Sequence, residues 1–76
     1  MNRPRSRPGP RGKFADRLRL ARERLGLTQE VAAERLSVSR VTLARWETGE
    51  MKPEGPALKY VEAWIARALG EKSHGS

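Results

Sequence analysis

Residues 39–49, Ser-Arg-Val-Thr-Leu-Ala-Arg-Trp-Glu-Thr-Gly, hold the side chains with the clearest chemical use. Wound at about 100° per residue with Arg40 at zero, Thr42, Trp46, Ser39 and Leu43 fall between roughly 200° and 300°. That stripe can face a core. Arg40, Ala44, Thr48, Val41 and Arg45 fall between roughly 0° and 140°, with Glu47 at the seam. The second face offers two forked guanidiniums, small or β-branched groups and a hydroxyl, and no carboxylate. Such a face suits the major groove of duplex DNA. Arginine can donate bidentately to guanine there, and a methyl group or valine can touch the thymine C5-methyl. On this helix alone a solvated face explains the pattern equally well, and the neighbouring elements decide between the two.

Upstream, Phe14, Leu18, Ala21 and Leu25 recur at steps of 4, 3 and 4, which predicts a first helix over about 14–25 with one apolar stripe. Gly26 follows, where a left-handed residue closes a helix at least cost. Thr28 is a good N-cap, with Gln29 and Glu30 in the first turn of a short second helix that reaches about Leu36. Its inward candidates are Ala32, Ala33 and Leu36, and the paired alanines suggest close approach to another helix. Ser37–Val38 breaks the pattern, Ser39 caps a third helix over about 40–48, and Gly49 stops it. The linker 50–55 leads to Pro56, suited to the first position of a last helix. There Leu58, Val61, Ile65 and Leu69 recur at steps of 3, 4 and 4. No internal repeat is present, and no period-2 alternation is long enough for a strand. The chain reads as all-α, and two short helices joined by a turn of about three residues have the helix-turn-helix layout.

Composition narrows the function. A chain of 76 residues makes one small domain at most, with sixteen Lys plus Arg against nine Asp plus Glu for a net charge of +7. Residues 1–13 contribute Arg3, Arg5, Arg7, Arg11 and Lys13 and no acid, or +5 of that total. Residues 14–69 hold ten bases and eight acids, or +2. This is a nearly neutral globule with a basic arm. Without cysteine there is no disulfide, thiolate nucleophile or Cys-based metal site, and the one histidine is His74 near the end. No apolar run approaches the roughly 18 residues a membrane span needs. The basic N-terminus has no apolar segment after it, so it is not read as a secretory signal. So short a chain also buries too little for a deep catalytic pocket. The expectation is a soluble, cytoplasmic, nucleoid-associated binding module, not an enzyme, with no catalytic residue, metal or cofactor and no membrane partner.

The segment from Leu18 to Gly49, followed by Lys52–Pro53, resembles the phage lambda repressor and Cro type (XRE-like) of helix-turn-helix DNA-binding family. The marks are Gly26–Leu27–Thr28–Gln29 before the second helix, Ala33 at the inter-helix contact, Val38–Ser39–Arg40 into the third helix, and Trp46–Glu47–Thr48–Gly49 at its end. The likeness covers about residues 14–56 and implies a lambda repressor-like bundle; the family usually has five helices, whereas the pattern here gives four, with one amphipathic run, 57–69, after Pro53. It implies that Arg40, Val41 and Arg45 reach base edges. Gln29, at the start of the second helix, joins the base-contact set, meets phosphate and braces the first recognition residue. Thr28, Ser39, Thr42 and Lys52 match positions that meet backbone phosphates. For Thr28 and Gln29 the physics agrees, since a helix N-terminus offers free N–H groups to an anion. Arg22 and Glu47 match a pair joining the first helix to the third, read as a structural ion pair. Ser37 stands where the family usually has glycine; a positive φ there would cost serine roughly 1 kcal/mol.

Trp46 and Trp64 can serve as stacking platforms for single-stranded nucleic acid, but core use explains Trp46 better in so small a helical unit. Tyr60 and Trp64 lie four apart beside the apolar stripe of the last helix, and with Ala57 and Ala68 they are the candidates for a homodimer interface. Leu20 and Val31 fall off their helices' stripes and can join either surface. The arginines of the arm, Arg3, Arg5, Arg7 and Arg11, can track phosphates or enter a narrow minor groove; a merely solubilising tail is the plainer alternative. The carboxylates Asp16, Glu23, Glu30, Glu34 and Glu62 read as solvated faces and partners of nearby arginines.

The expected organisation is a flexible Arg/Pro-rich arm over 1–12, a helix-turn-helix domain over 13–69 and a disordered tail over 70–76. The expected function is sequence-specific binding of double-stranded DNA as a homodimer on an inverted repeat, repressing the protein's own phage, prophage or toxin–antitoxin-like operon. The sequence 54–58, Glu-Gly-Pro-Ala-Leu, is similar to that of short regulators from such operons. The alternative is an antitoxin or other protein-interaction module that neutralises a protein partner through its last helix.

Overall fold

A computed structural model describes residues 10–71 and contains, among them, four helices: α1 (Pro10–Arg24), α2 (Gln29–Arg35), α3 (Arg40–Thr48) and α4 (Pro56–Leu69). Each of the last three starts where the sequence places it. The first does not. α1 begins at Pro10, ahead of the Phe14 expected from the apolar stripe. Proline suits a helix start because its φ is preset and its missing N–H would have found no intrahelical partner. Arg11 therefore belongs to a helix rather than to the arm, while Arg3, Arg5 and Arg7 lie outside the described residues.

The end of α1 also corrects the expectation. The apolar stripe includes Leu25, yet this residue is 44% exposed. Gly26, at φ 71°, turns the chain left-handed. Its N–H donates to the Glu23 carbonyl at 2.9 Å, and the Leu27 N–H donates to the Arg22 carbonyl at 3.1 Å. This is a Schellman closure, in which the residue after the left-handed position folds back onto the helix. Leu27, not Leu25, packs on the core. The periodic pattern simply runs one residue past the helix.

The α2–α3 turn uses the same geometry. Ser37 has φ 61°, its N–H donates to the Glu34 carbonyl at 3.1 Å, and the Val38 N–H donates to the Ala33 carbonyl at 2.9 Å. Ser37 is the one residue other than glycine with positive φ among the described residues. It is exposed, so the strain is of the backbone alone. Ser37→Gly is expected to raise the unfolding free energy by about 0.5–1 kcal/mol, read as a midpoint shift in urea. An unchanged or lower midpoint would show that glycine's extra freedom in the unfolded chain outweighs the relieved strain.

The core is one cluster at the meeting of the helices. Phe14, Leu18 and Ala21 come from α1, Ala32 and Ala33 from α2, Leu36 from its C-cap, Leu43 and Trp46 from α3, and Val61 and Ile65 from α4. α1 packs against both α3 and α4, and α2 packs against α3. The small Ala21, Ala32 and Ala33 are fully buried, as close helix approach requires. Ala15 is buried as well, a position the four-residue stripe of α1 does not include. On α4, Leu58 and Leu69 are half-buried at the ends of the stripe, and Trp64 and Ala68 widen it.

Candidate nucleic-acid interface

α3 is held by its inner side and by both caps, leaving its other side to solvent. The Ser39 hydroxyl accepts from the Thr42 N–H at 3.1 Å, and Gly49 closes the other end at φ 84°. Leu43 and Trp46 are buried, whereas Arg40, Val41 and Arg45 are exposed, Val41 by 56%. Arg40, Val41, Ala44, Arg45, Thr48 and Glu50 line one shallow cleft. The first five are the acid-free face read from the sequence. Glu50 is the residue that reading missed, because it follows the helix end and helical periodicity does not reach it.

A second cleft adjoins the first through Arg40 and is lined by Arg22, Thr28, Gln29, Glu30 and Arg40. Thr28 caps α2, its hydroxyl accepting from the Val31 N–H at 3.1 Å. The start of α2 and the start of α3 thus border the same surface. Behind them lies an ion pair. Arg22 Nε donates to Glu47 Oε2 at 2.7 Å and Nη2 to Oε1 at 3.1 Å, the bidentate geometry in which guanidinium and carboxylate planes match. The Glu47 side chain is 4% exposed and that of Arg22 15%. Arg22 Nη1 also donates to the Leu27 carbonyl at 3.0 Å, and Gln29 Nε2 donates to Glu47 Oε1 at 3.2 Å. One carboxylate therefore ties α1, the start of α2 and α3 together, while its arginine partner reaches the α1–α2 loop. The hydrogen bond to Glu47 is the main cause holding the Arg22 guanidinium above its ordinary pKa. Desolvation opposes it, and the charges of Glu47 and Glu23 add to it. Gln29 is thereby a bracing residue as well as a candidate for contact, with one of its two N–H donors already engaged.

The remaining candidates spread more widely. The Ser39 and Thr42 hydroxyls bond each other at 3.0 Å at the head of α3. Lys52 is exposed, its ammonium 5.7 Å from the centre of the Phe14 ring, which sets the loop after α3 beside the first turns of α1. The aromatic ridge expected on α4 divides. Tyr60 is 54% exposed, its hydroxyl donating to the Arg35 carbonyl at 3.4 Å, while Trp64 is half-buried and packs on the core. Ala57 is exposed, and Ala68 is packed against the core. Leu20 is exposed and Val31 half-buried. Among the described residues no helix is long and apolar enough to cross a membrane.

The helix-turn-helix domain family matches residues 13–70, which span the bundle from Lys13 to the end of α4. The chain belongs to that family, and its fold is a DNA-binding one. Over 63 residues, 83% of this chain, it is 33% identical to the HTH-type transcriptional activator BcrR of Enterococcus faecalis. It spans 31% of that relative's length. No solved structure matches the chain. DNA binding is the role that the family supports.

Proposed function

We propose that the protein is a sequence-specific regulator of transcription that lays the outer face of α3 in the major groove of double-stranded DNA. The observation that carries the reading is the surface itself. Two arginines and an exposed valine stand on one side of a helix whose other side is locked in the core. The capped start of α2 borders the same surface. Arg40, Val41 and Arg45 reach base edges, with Gln29 beside them. Thr28, Ser39, Thr42 and Lys52 meet phosphates on either side. Arg3, Arg5, Arg7 and Arg11 add charge that draws the duplex in.

One α3 reads one short stretch of groove, so the working form is a homodimer on an inverted repeat, with half-sites about 34 Å apart. Ala57 and Tyr60 are the exposed members of the interface candidates on α4, with Trp64 and Ala68 at its edge. Bound across its own promoter, such a dimer represses by occluding polymerase. The relative carries the name of an activator, and the direction of control at this protein's promoter is set by where the site lies.

The test is selection of the protein on a randomised duplex pool at about 150 mM salt, a concentration that screens non-specific attraction. An inverted repeat is expected, and its spacing gives the dimer geometry directly. Recovery without any motif would overturn the reading and leave a partner-binding module, the antitoxin alternative, in its place.

A further inference from the structure

Glu50 is the one carboxylate on the cleft formed by Arg40, Val41, Ala44, Arg45 and Thr48. It is exposed, and the ion pairs among the described residues are Arg17–Glu71, Arg19–Asp16 and Arg22–Glu47, so its charge is not spent on a neighbour. Nor is it on a loose loop. Its N–H donates to Thr48 Oγ1 at 3.3 Å, and that hydroxyl donates to the Arg45 carbonyl at 3.0 Å. The next residue, Met51, donates its N–H to the same carbonyl at 3.2 Å. Three bonds converge on the last turn of α3 and fix where the carboxylate starts from.

A carboxylate set at the rim of a surface built for a polyanion is a poor choice for general affinity, since like charges repel. It is useful where DNA offers a donor. In the major groove that donor is an exocyclic amino group, and cytosine and adenine differ in what stands beside it. Adenine N6 lies between two acceptors, its own N7 and the O4 of the paired thymine, which repel a carboxylate, whereas cytosine N4 has the guanine O6 on one side only and its own C5–H on the other. Guanine and thymine present only acceptors there.

We propose that Glu50 is a specificity-determining residue that accepts a hydrogen bond from a cytosine N4 amino group at the edge of the half-site contacted by Arg45. This rests on the DNA-reading role of α3 proposed above. Arginines then choose guanine by donating, and Glu50 chooses cytosine by accepting, so that one face reads both polarities of the groove.

Glu50→Gln keeps the shape, removes the charge and introduces an amide that can pair with adenine instead. Selection on the randomised pool is expected to return the wild-type motif with one position per half-site changed. Discrimination for cytosine there should fall about tenfold, the typical worth of one good hydrogen bond to a base. Affinity for a scrambled duplex should rise by less than that factor. Equal tightening on selected and scrambled DNA would overturn the proposal, because the carboxylate would then act only by repelling phosphates. An unchanged motif in the variant would also overturn it while leaving the DNA-reading role intact. A wild-type pool without any motif would overturn both.

Discussion

Glu47→Ala is expected to lower the unfolding free energy by about 3 kcal/mol, because it strands a partly buried guanidinium rather than merely deleting an interaction. The carboxylate is 4% exposed and accepts from Arg22 twice and from Gln29 once. Without it, Arg22 keeps the Leu27 carbonyl as its protein partner. A domain of this size has only about 5–15 kcal/mol in total, so the change should appear as a drop of roughly 12–24 °C in Tm. The contrast with Arg22→Met/Glu47→Leu makes the test specific. Replacing both members by apolar groups of similar size is often neutral or better for a buried pair. Recovery of most of the stability in the double variant is the expected result. A Glu47→Ala Tm within a few degrees of wild type would show that water satisfies Arg22 and that the pair is ornamental to stability. Even the recovered double variant should bind DNA less well, since Gln29 no longer has the oxygen that braces it.

The second large effect is on binding. Arg40→Ala/Arg45→Ala should weaken the selected duplex by about 2–6 kcal/mol, taking about 1–3 for each arginine–base pairing removed, which is roughly thirtyfold to twenty-thousandfold in Kd. Neither side chain is buried and neither is in an ion pair among the described residues, so the fold should survive. Unchanged melting beside the weakened binding is the control. The decisive comparison is with scrambled DNA at several salt concentrations. A greater weakening on the selected duplex means that bases are being read. Equal weakening on both, with the salt slope reduced by about 0.9 for each arginine, would assign the two residues to phosphates and remove α3 as the reading element.

Most of the bundle was legible because its signals are local. Caps such as Thr28 and Ser39, a stop such as Gly49 and a proline start at Pro56 act on their own turn of chain, and all appear where the sequence puts them. The outer face of α3 and its buried Leu43 and Trp46 were legible for a similar reason, since 3.6-residue periodicity sorts side chains by direction. But Ser39, placed on the core stripe, is exposed as the N-cap, Thr42 is only half-buried, and Glu47, placed at the seam, is buried by its ion pair. Where the reading strayed, the cause was an event the period does not contain. Leu25 kept step with the stripe, but the left-handed Gly26 ended the helix and delivered Leu27 to the core instead. At the other end, Pro10–Gly12 has no apolar residue to register in the pattern, so the start of α1 went unseen.

The sequence by itself determined the starts of α2, α3 and α4, the turn between α2 and α3, and the acid-free arginine face, because each is written in residues a few places apart. The positive φ at Ser37 was suggested only by the resemblance to a family that usually has glycine there. Tertiary structure alone decided what lies beside that face. It set Glu50 on the cleft of Arg40 and Arg45, brought the start of α2 to the start of α3, divided Tyr60 from Trp64, and added Gln29 to Arg22 as a partner of Glu47. Glu47 stands 25 positions from Arg22 and 18 from Gln29. Contacts at such separations depend on how whole helices cross, which is set by the summed packing of the core and by no single stretch of the chain.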